Sequence, residues 1–185
     1  MRCLFFIPAV LLPTMTWALC PASPDHTVAL EDLIEAVQSA KSETEAQMLT
    51  YEMWQYWADA PDEQSQEILD RGMERRAAYD FLGALQDFDR LIAYCPDYAE
   101  GYNQRAFVYF LQQDYASALV DLEKVLEISP RHVAALSGRA LSLVALQRRD
   151  DARTALKQAL KLNPWLPERG LLSPGGPLAA DGVDL

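Results

Sequence analysis

At 185 residues, half of them apolar, the chain has the material for one domain with a sizeable core and is not a disordered polypeptide. Its 27 acidic side chains outnumber 16 basic ones for a formal net charge of -11, so phosphate backbones and anionic membrane surfaces would repel it, and nucleic acid is not expected as a partner. With eight glycines and two histidines there is little from which to build a phosphate-cradling loop or a histidine metal site, and no cofactor, metal or catalytic residue is expected.

The first segment in chain order reads as a targeting signal. Arg2 precedes an apolar stretch from Leu4 to Leu12, broken by Pro8, and Pro13 with a short polar segment leads to Thr16-Trp17-Ala18. A basic start, an apolar run too short to span a bilayer and a terminal small residue predict a cleaved export signal over residues 1–18. Cleavage is expected after Ala18, with Ala22 as the second choice. Leu19 rather than a small residue precedes Cys20, which argues against a lipidated cysteine. No later stretch approaches the ~20 apolar residues of a spanning helix, so the mature chain is expected to lack a membrane span and to be exported, to the periplasm. Cys3 leaves with the signal, and Cys20 and Cys95 then form either a disulfide or two free thiols in an oxidising compartment.

After an extended stretch at 19–26, residues 27–60 predict a helical hairpin. Leu30, Leu33, Ile34 and Val37 mark one amphipathic helix. Ser42 with Glu45 forms a capping box for a second, whose buried stripe is expected at Leu49, Met53, Tyr56 and Trp57.

From residue 65 a period organises the chain. Pro96, Pro130 and Pro164 are 34 residues apart, and the same spacing aligns Gly72, Ala106 and Ala140, then Ala84, Ala118 and Ala152, then Phe88, Leu122 and Leu156. Small residues at two fixed positions let paired helices cross closely, large apolar ones fill the space between pairs, and the proline ends each unit. In the second unit Tyr102, Ala106 and Tyr109 mark one helix, Gln113-Asp114 a turn, and Ala118, Leu122 and Val125 the other.

This pattern resembles the tetratricopeptide repeat family, with small residues at the eighth and twentieth positions, an aromatic or Leu at the twenty-fourth and Pro at the thirty-second. The resemblance covers residues 65 to 166 as three repeats, 65–98, 99–132 and 133–166. It departs from the family at Arg75 and Arg149, where apolar or aromatic groups are usual. An all-α fold follows: an α-solenoid of three helix pairs with an N-terminal hairpin that is a degenerate repeat or a cap, since Leu49 stands where the small crossing residue belongs. The Pro/Gly-rich tail, 167–185, is expected to be flexible apart from a short helix near Glu168 to Leu172.

What the resemblance implies about function lies on the first helix of each pair, which lines the concave face. On this chain that lining is expected to include Leu69, Met73 and Arg76, then Asn103, Phe107, Phe110 and Leu111, then Ser137, Leu141 and Val144. The set is mostly apolar. It suits either a polypeptide partner's apolar segment or the protein's own hairpin or tail. The family's carboxylate clamp places Lys and Asn, then Asn, then Lys and Arg at groove positions that here hold Leu69 and Met73, Gln104, then Ala134 and Gly138. A chaperone-tail adaptor is therefore not implied.

No zincin, phosphate-loop, GxGxxG or GxSxG pattern is present. His132, just after Pro130, is expected as a surface or capping residue, and Asp150-Asp151 as a solvated turn. Residues 23–62 carry nine acids against Lys41, while residues 132–165 carry six bases against two acids. Arg149, Arg153, Lys157 and Lys161 recur every four residues, either as a solvated outer face or as a contact for an acidic partner or the chain's own acidic arm. The expected function is a protein-binding scaffold of the cell envelope. A structural homo-oligomer subunit and an envelope hydrolase without a recognisable motif are the alternatives.

Overall fold

The computed structural model describes residues 19–179; the export signal expected at 1–18 and residues 180–185 lie outside them. Among the described residues eight α-helices follow one another: α1 Thr27–Ser39, α2 Glu43–Trp57, α3 Glu63–Ala77, α4 Phe81–Tyr94, α5 Ala99–Leu111, α6 Tyr115–Ile128, α7 Val133–Ala145 and α8 Arg149–Leu162. A 3-10 helix, Pro167–Leu172, closes the series.

Local chemistry sets most of the boundaries. Ser42 accepts from the Glu45 N–H, while the Glu45 carboxylate accepts from the Lys41 N–H. Asp62 and Ser65 cap α3 reciprocally, and Tyr94 donates to the same carboxylate at 2.7 Å. These donors hold the Asp62 carboxyl below its ordinary range, the Ser65 side chain having the largest effect. Each pair turns through a left-handed residue, Tyr79, Gln113 or Gln147, with φ of 62, 64 and 60°. Asp80 and Asp114 then cap the second helices of the first two pairs, whereas Arg148 in the third makes no side-chain cap.

The pairs α3–α4, α5–α6 and α7–α8 stack as a solenoid. Ala84, Ala118 and Ala152 are fully buried at the crossings. Gly72 is tighter still, since a Cβ there would lie 2.5 Å from the Phe88 ring. A recurring ion pair also links the two helices of a repeat. Arg71 reaches the buried Asp87, and 34 residues later Arg105 reaches Asp121. In the third pair Ala155 stands where the acid would be, and the Arg139 Nε is buried without a partner among the described residues. Arg75, a departure from the family pattern, pairs with Asp87 at 3.0 Å and donates to the Gly83 carbonyl, so ionic contacts stand in for an apolar side chain.

The hairpin α1–α2 does not stack in front of α3, as a degenerate repeat or an end cap would. It folds back onto the last repeat. Leu33, Ile34 and Val37 of α1 share a core with Val133, Leu136, Ala159 and Leu166. Asn163 donates to Thr50, Gln38 to the Lys161 carbonyl, and Arg131 pairs with Glu31 at 3.0 Å. The hairpin thus lies along the edge where second helices end and first helices begin. Its buried stripe is Ala46, Met53 and Trp57, with Leu49 and Tyr56 only partly buried. The acidic arm therefore meets Arg131 and Arg169 rather than the row on α8. Cys20 and Cys95 are joined by a disulfide, Cα–Cα 5.2 Å, which ties the extended N-terminus to the end of α4. In the chain-entropy limit, closing a loop of that size stabilises the fold by about 4 kcal/mol.

Residues 167–179 correct the expectation of a flexible tail. Leu178 is fully buried in the cluster that contains Leu143 and Leu156. Arg153 donates to the Leu178 and Ala179 carbonyls at 3.1 and 2.9 Å, so this basic residue is not part of a purely solvated face. The apolar end of a helix stack must be covered, and here the chain's own tail covers it.

Ala118→Leu should lower stability by about 1 to 3 kcal/mol, because added methylenes at a closed crossing force strain. Urea unfolding of the variant checks this. An unchanged midpoint would mean that α5 and α6 do not cross at Ala118.

Candidate functional site

The concave face is built by α3, α5 and α7, and α2 stands over part of it. Between them lies a pocket of about 540 Å³. Its aromatic walls are Tyr51, Trp54 and Trp57 from α2 and Phe107 and Phe110 from α5. Leu141, Ala134 and Gly138 of α7 and Leu166 complete the apolar lining, and Glu168 stands at the 3-10 helix. The size is that of a small-ligand or side-chain pocket.

A buried polar network anchors the floor. Glu100, 1% exposed, accepts from the Asn103 and Gln104 side-chain amides. Gln104 in turn accepts from Arg76, whose guanidinium lies 4.7 Å over the Phe107 ring. Burial holds the Arg76 guanidinium below its ordinary value, while the Glu100 charge acts in the opposite sense. His132 Nδ1 accepts from the Ala135 N–H, which leaves the proton on Nε2, 3.1 Å from Glu100. The imidazole is therefore both a helix cap and a donor to a buried carboxylate. Trp57 stacks on it with ring centroids 4.1 Å apart and planes 17° from parallel. The Trp57 carbonyl accepts from Tyr98, whose phenol burial pushes well above its usual range. His132 is a capping residue, as the sequence suggests, but it is wholly buried and not on the surface.

Asn103, Phe107, Phe110, Ser137 and Leu141 all line the pocket. Arg76 flanks it through Phe107, and Met73 packs partly buried against the core of the first pair. Leu111 is exposed beyond the pocket rim. Two expectations are corrected. Leu69 is fully buried with Ala60, Leu91 and Tyr98, because the segment leaving the hairpin covers it. Val144 packs toward the cluster under the tail rather than into the groove. Sequence reasoning missed Tyr51, Trp54, Leu166 and Glu168. A signal for the first two existed: α2 carries a second apolar edge beside its Met53–Trp57 stripe, which a helix with one partner would not need.

Comparison with known proteins decides the family. A family pattern described as tetratricopeptide repeat matches residues 109–165. The chain is 33% identical over 128 residues to a TPR repeat-containing protein of Rhizobium etli, covering 66% of this chain and 60% of that protein. Residues 109–165 are tetratricopeptide repeats. Human tetratricopeptide repeat protein 36 is 35% identical over 114 residues, covering 60% of each chain, so this TPR chain spans about 60% of the length of both relatives. The first TPR of Spaghetti (RPAP3), bound to the HSP90 peptide SRMEEVD, superposes with a TM-score of 0.56 at 21% identity over 58% of this chain and 86% of that one. The MamA protein does so with 0.51 at 19% identity over 76% and 74%. Both share the TPR fold.

Trp57→Ala should detach the hairpin from the TPR stack at a cost of about 3 to 5 kcal/mol, the scale for removing a buried aromatic ring. Hydrogen exchange would read this as faster exchange through α1 and α2 with protection retained in α5 to α8. Uniform acceleration along the whole chain would contradict independent docking of the hairpin.

Proposed function

We propose that this protein is an exported scaffold that binds a polypeptide partner through the pocket between α2, α5 and α7. The observation that carries the reading is the open, aromatic-walled pocket in the middle of the concave face, with Phe107 46% and Leu111 41% exposed beside it. Apolar surface held open to water is stabilised when a partner covers it. TPR domains of the same fold hold peptides, as in the Spaghetti complex with an HSP90 peptide and the Sti1 complex with pHsp70. The partner here differs in kind from an acidic chaperone tail, since Leu69, Met73, Gln104, Ala134 and Gly138 occupy the clamp positions.

Mature protein carrying an epitope tag, incubated with envelope extract, should retain a partner that Phe107→Ser with Phe110→Ser no longer retains. The variant should keep its helical signal, and Lys157→Ser on the outer face should bind as the parent does. Loss of stability with unchanged retention would move the binding surface away from the groove.

Export is supported by the 1–18 sequence pattern and by the Cys20–Cys95 bridge, which persists best in an oxidising compartment such as the periplasm. Protein recovered from an exporting host should begin at Leu19 and take up no alkylating reagent before reduction, as read by intact mass. Two alkylated thiols, or a start at Ser23, would overturn this reading.

A further inference from the structure

Two polar atoms of residues that line the pocket have no partner among the described residues. The Ser142 hydroxyl, on a residue with no exposed surface, makes no hydrogen bond, and neither does the buried Glu168 Oε2. Both residues line the same pocket. An unpaired buried carboxylate oxygen is costly, and a ligand that supplies a donor removes that cost. The nearest base in sequence cannot do so, because Arg169 is turned toward Glu43 and toward the Trp165 and Leu166 carbonyls. Glu168 is also the single acidic or basic side chain among the lining residues. Arg76, which flanks the pocket over Phe107, and the buried Glu100 carry opposite charges, so Glu168 is left as the uncompensated charge among the aromatic faces. Aromatic faces attract cations and repel anions.

Size limits the occupant further. At about 540 Å³ the pocket is sized for the side chains of a short segment. We infer that the polypeptide partner enters with an Arg or Lys flanked by large apolar residues, the cation on Glu168 and the apolar groups against Trp54 and Phe107. This specificity rests on the binding role proposed above.

The probes are dye-labelled hexapeptides, capped at both ends, with Leu and Phe around a central Arg, Gln or Glu, titrated by fluorescence anisotropy against the mature chain. The Arg peptide should bind about tenfold more tightly than the Gln peptide, the scale of one charge-assisted hydrogen bond, and the Glu peptide most weakly. Glu168→Gln should erase the Arg advantage while leaving the Gln peptide's affinity unchanged. The variant should fold normally, because that side chain makes no bond in the free protein. An Arg advantage that survives Glu168→Gln, or preference for the Glu peptide, would overturn the inference and leave the scaffold reading standing. Binding of none of the three would defeat both. Displacement of the Arg peptide by tetramethylammonium at equal concentration would make the pocket a small-cation site and overturn the polypeptide form of the inference.

Discussion

Glu100 is a carboxylate with almost no contact with water, so it needs donors, and the chain draws them from within α5 and from the start of α7. That requirement orients His132, which in turn offers Trp57 a flat surface to stack on, and the stacked indole fixes α2 over the groove. Remove the carboxylate and the imidazole loses its orienting partner. The pocket wall then loses its anchor. A polar network fully satisfied in a low-dielectric interior specifies one arrangement more sharply than apolar contacts alone.

The same arrangement explains why, among the described residues, the groove is walled on one side yet not filled. The hairpin docks along the edge through α1 and the inner face of α2, so its second apolar edge, Tyr51 and Trp54, overlooks the concave face without collapsing onto Phe107. The hairpin is a wall, and it adds aromatic surface that three repeats alone do not possess.

Much of this was readable in the sequence because repeats impose local rules. The alanine columns, the capping box at Ser42 and the helix pairs follow from spacing and short-range chemistry, and the central groove residues Phe107, Phe110 and Leu141 follow from the register. Leu69 and Val144 did not, because what covers them comes from the hairpin exit and the tail, which obey no repeat. Trp54 and Glu168 face each other's territory only after the chain has folded back over more than a hundred residues. Long-range docking of that kind leaves no period to read.

The ordering of residues 173–179 bears on how many molecules can join. An open helix stack offers its last pair to the first pair of another copy, and head-to-tail addition of that kind builds filaments that never close. Here Leu178 occupies the hollow that an incoming helix would fill, and Arg153 holds its carbonyl and the next one. A second copy adding at this end must first withdraw a buried leucine, about 2 kcal/mol of transfer free energy, and break two guanidinium bonds. The tail thus sits on the very surface that head-to-tail addition would need.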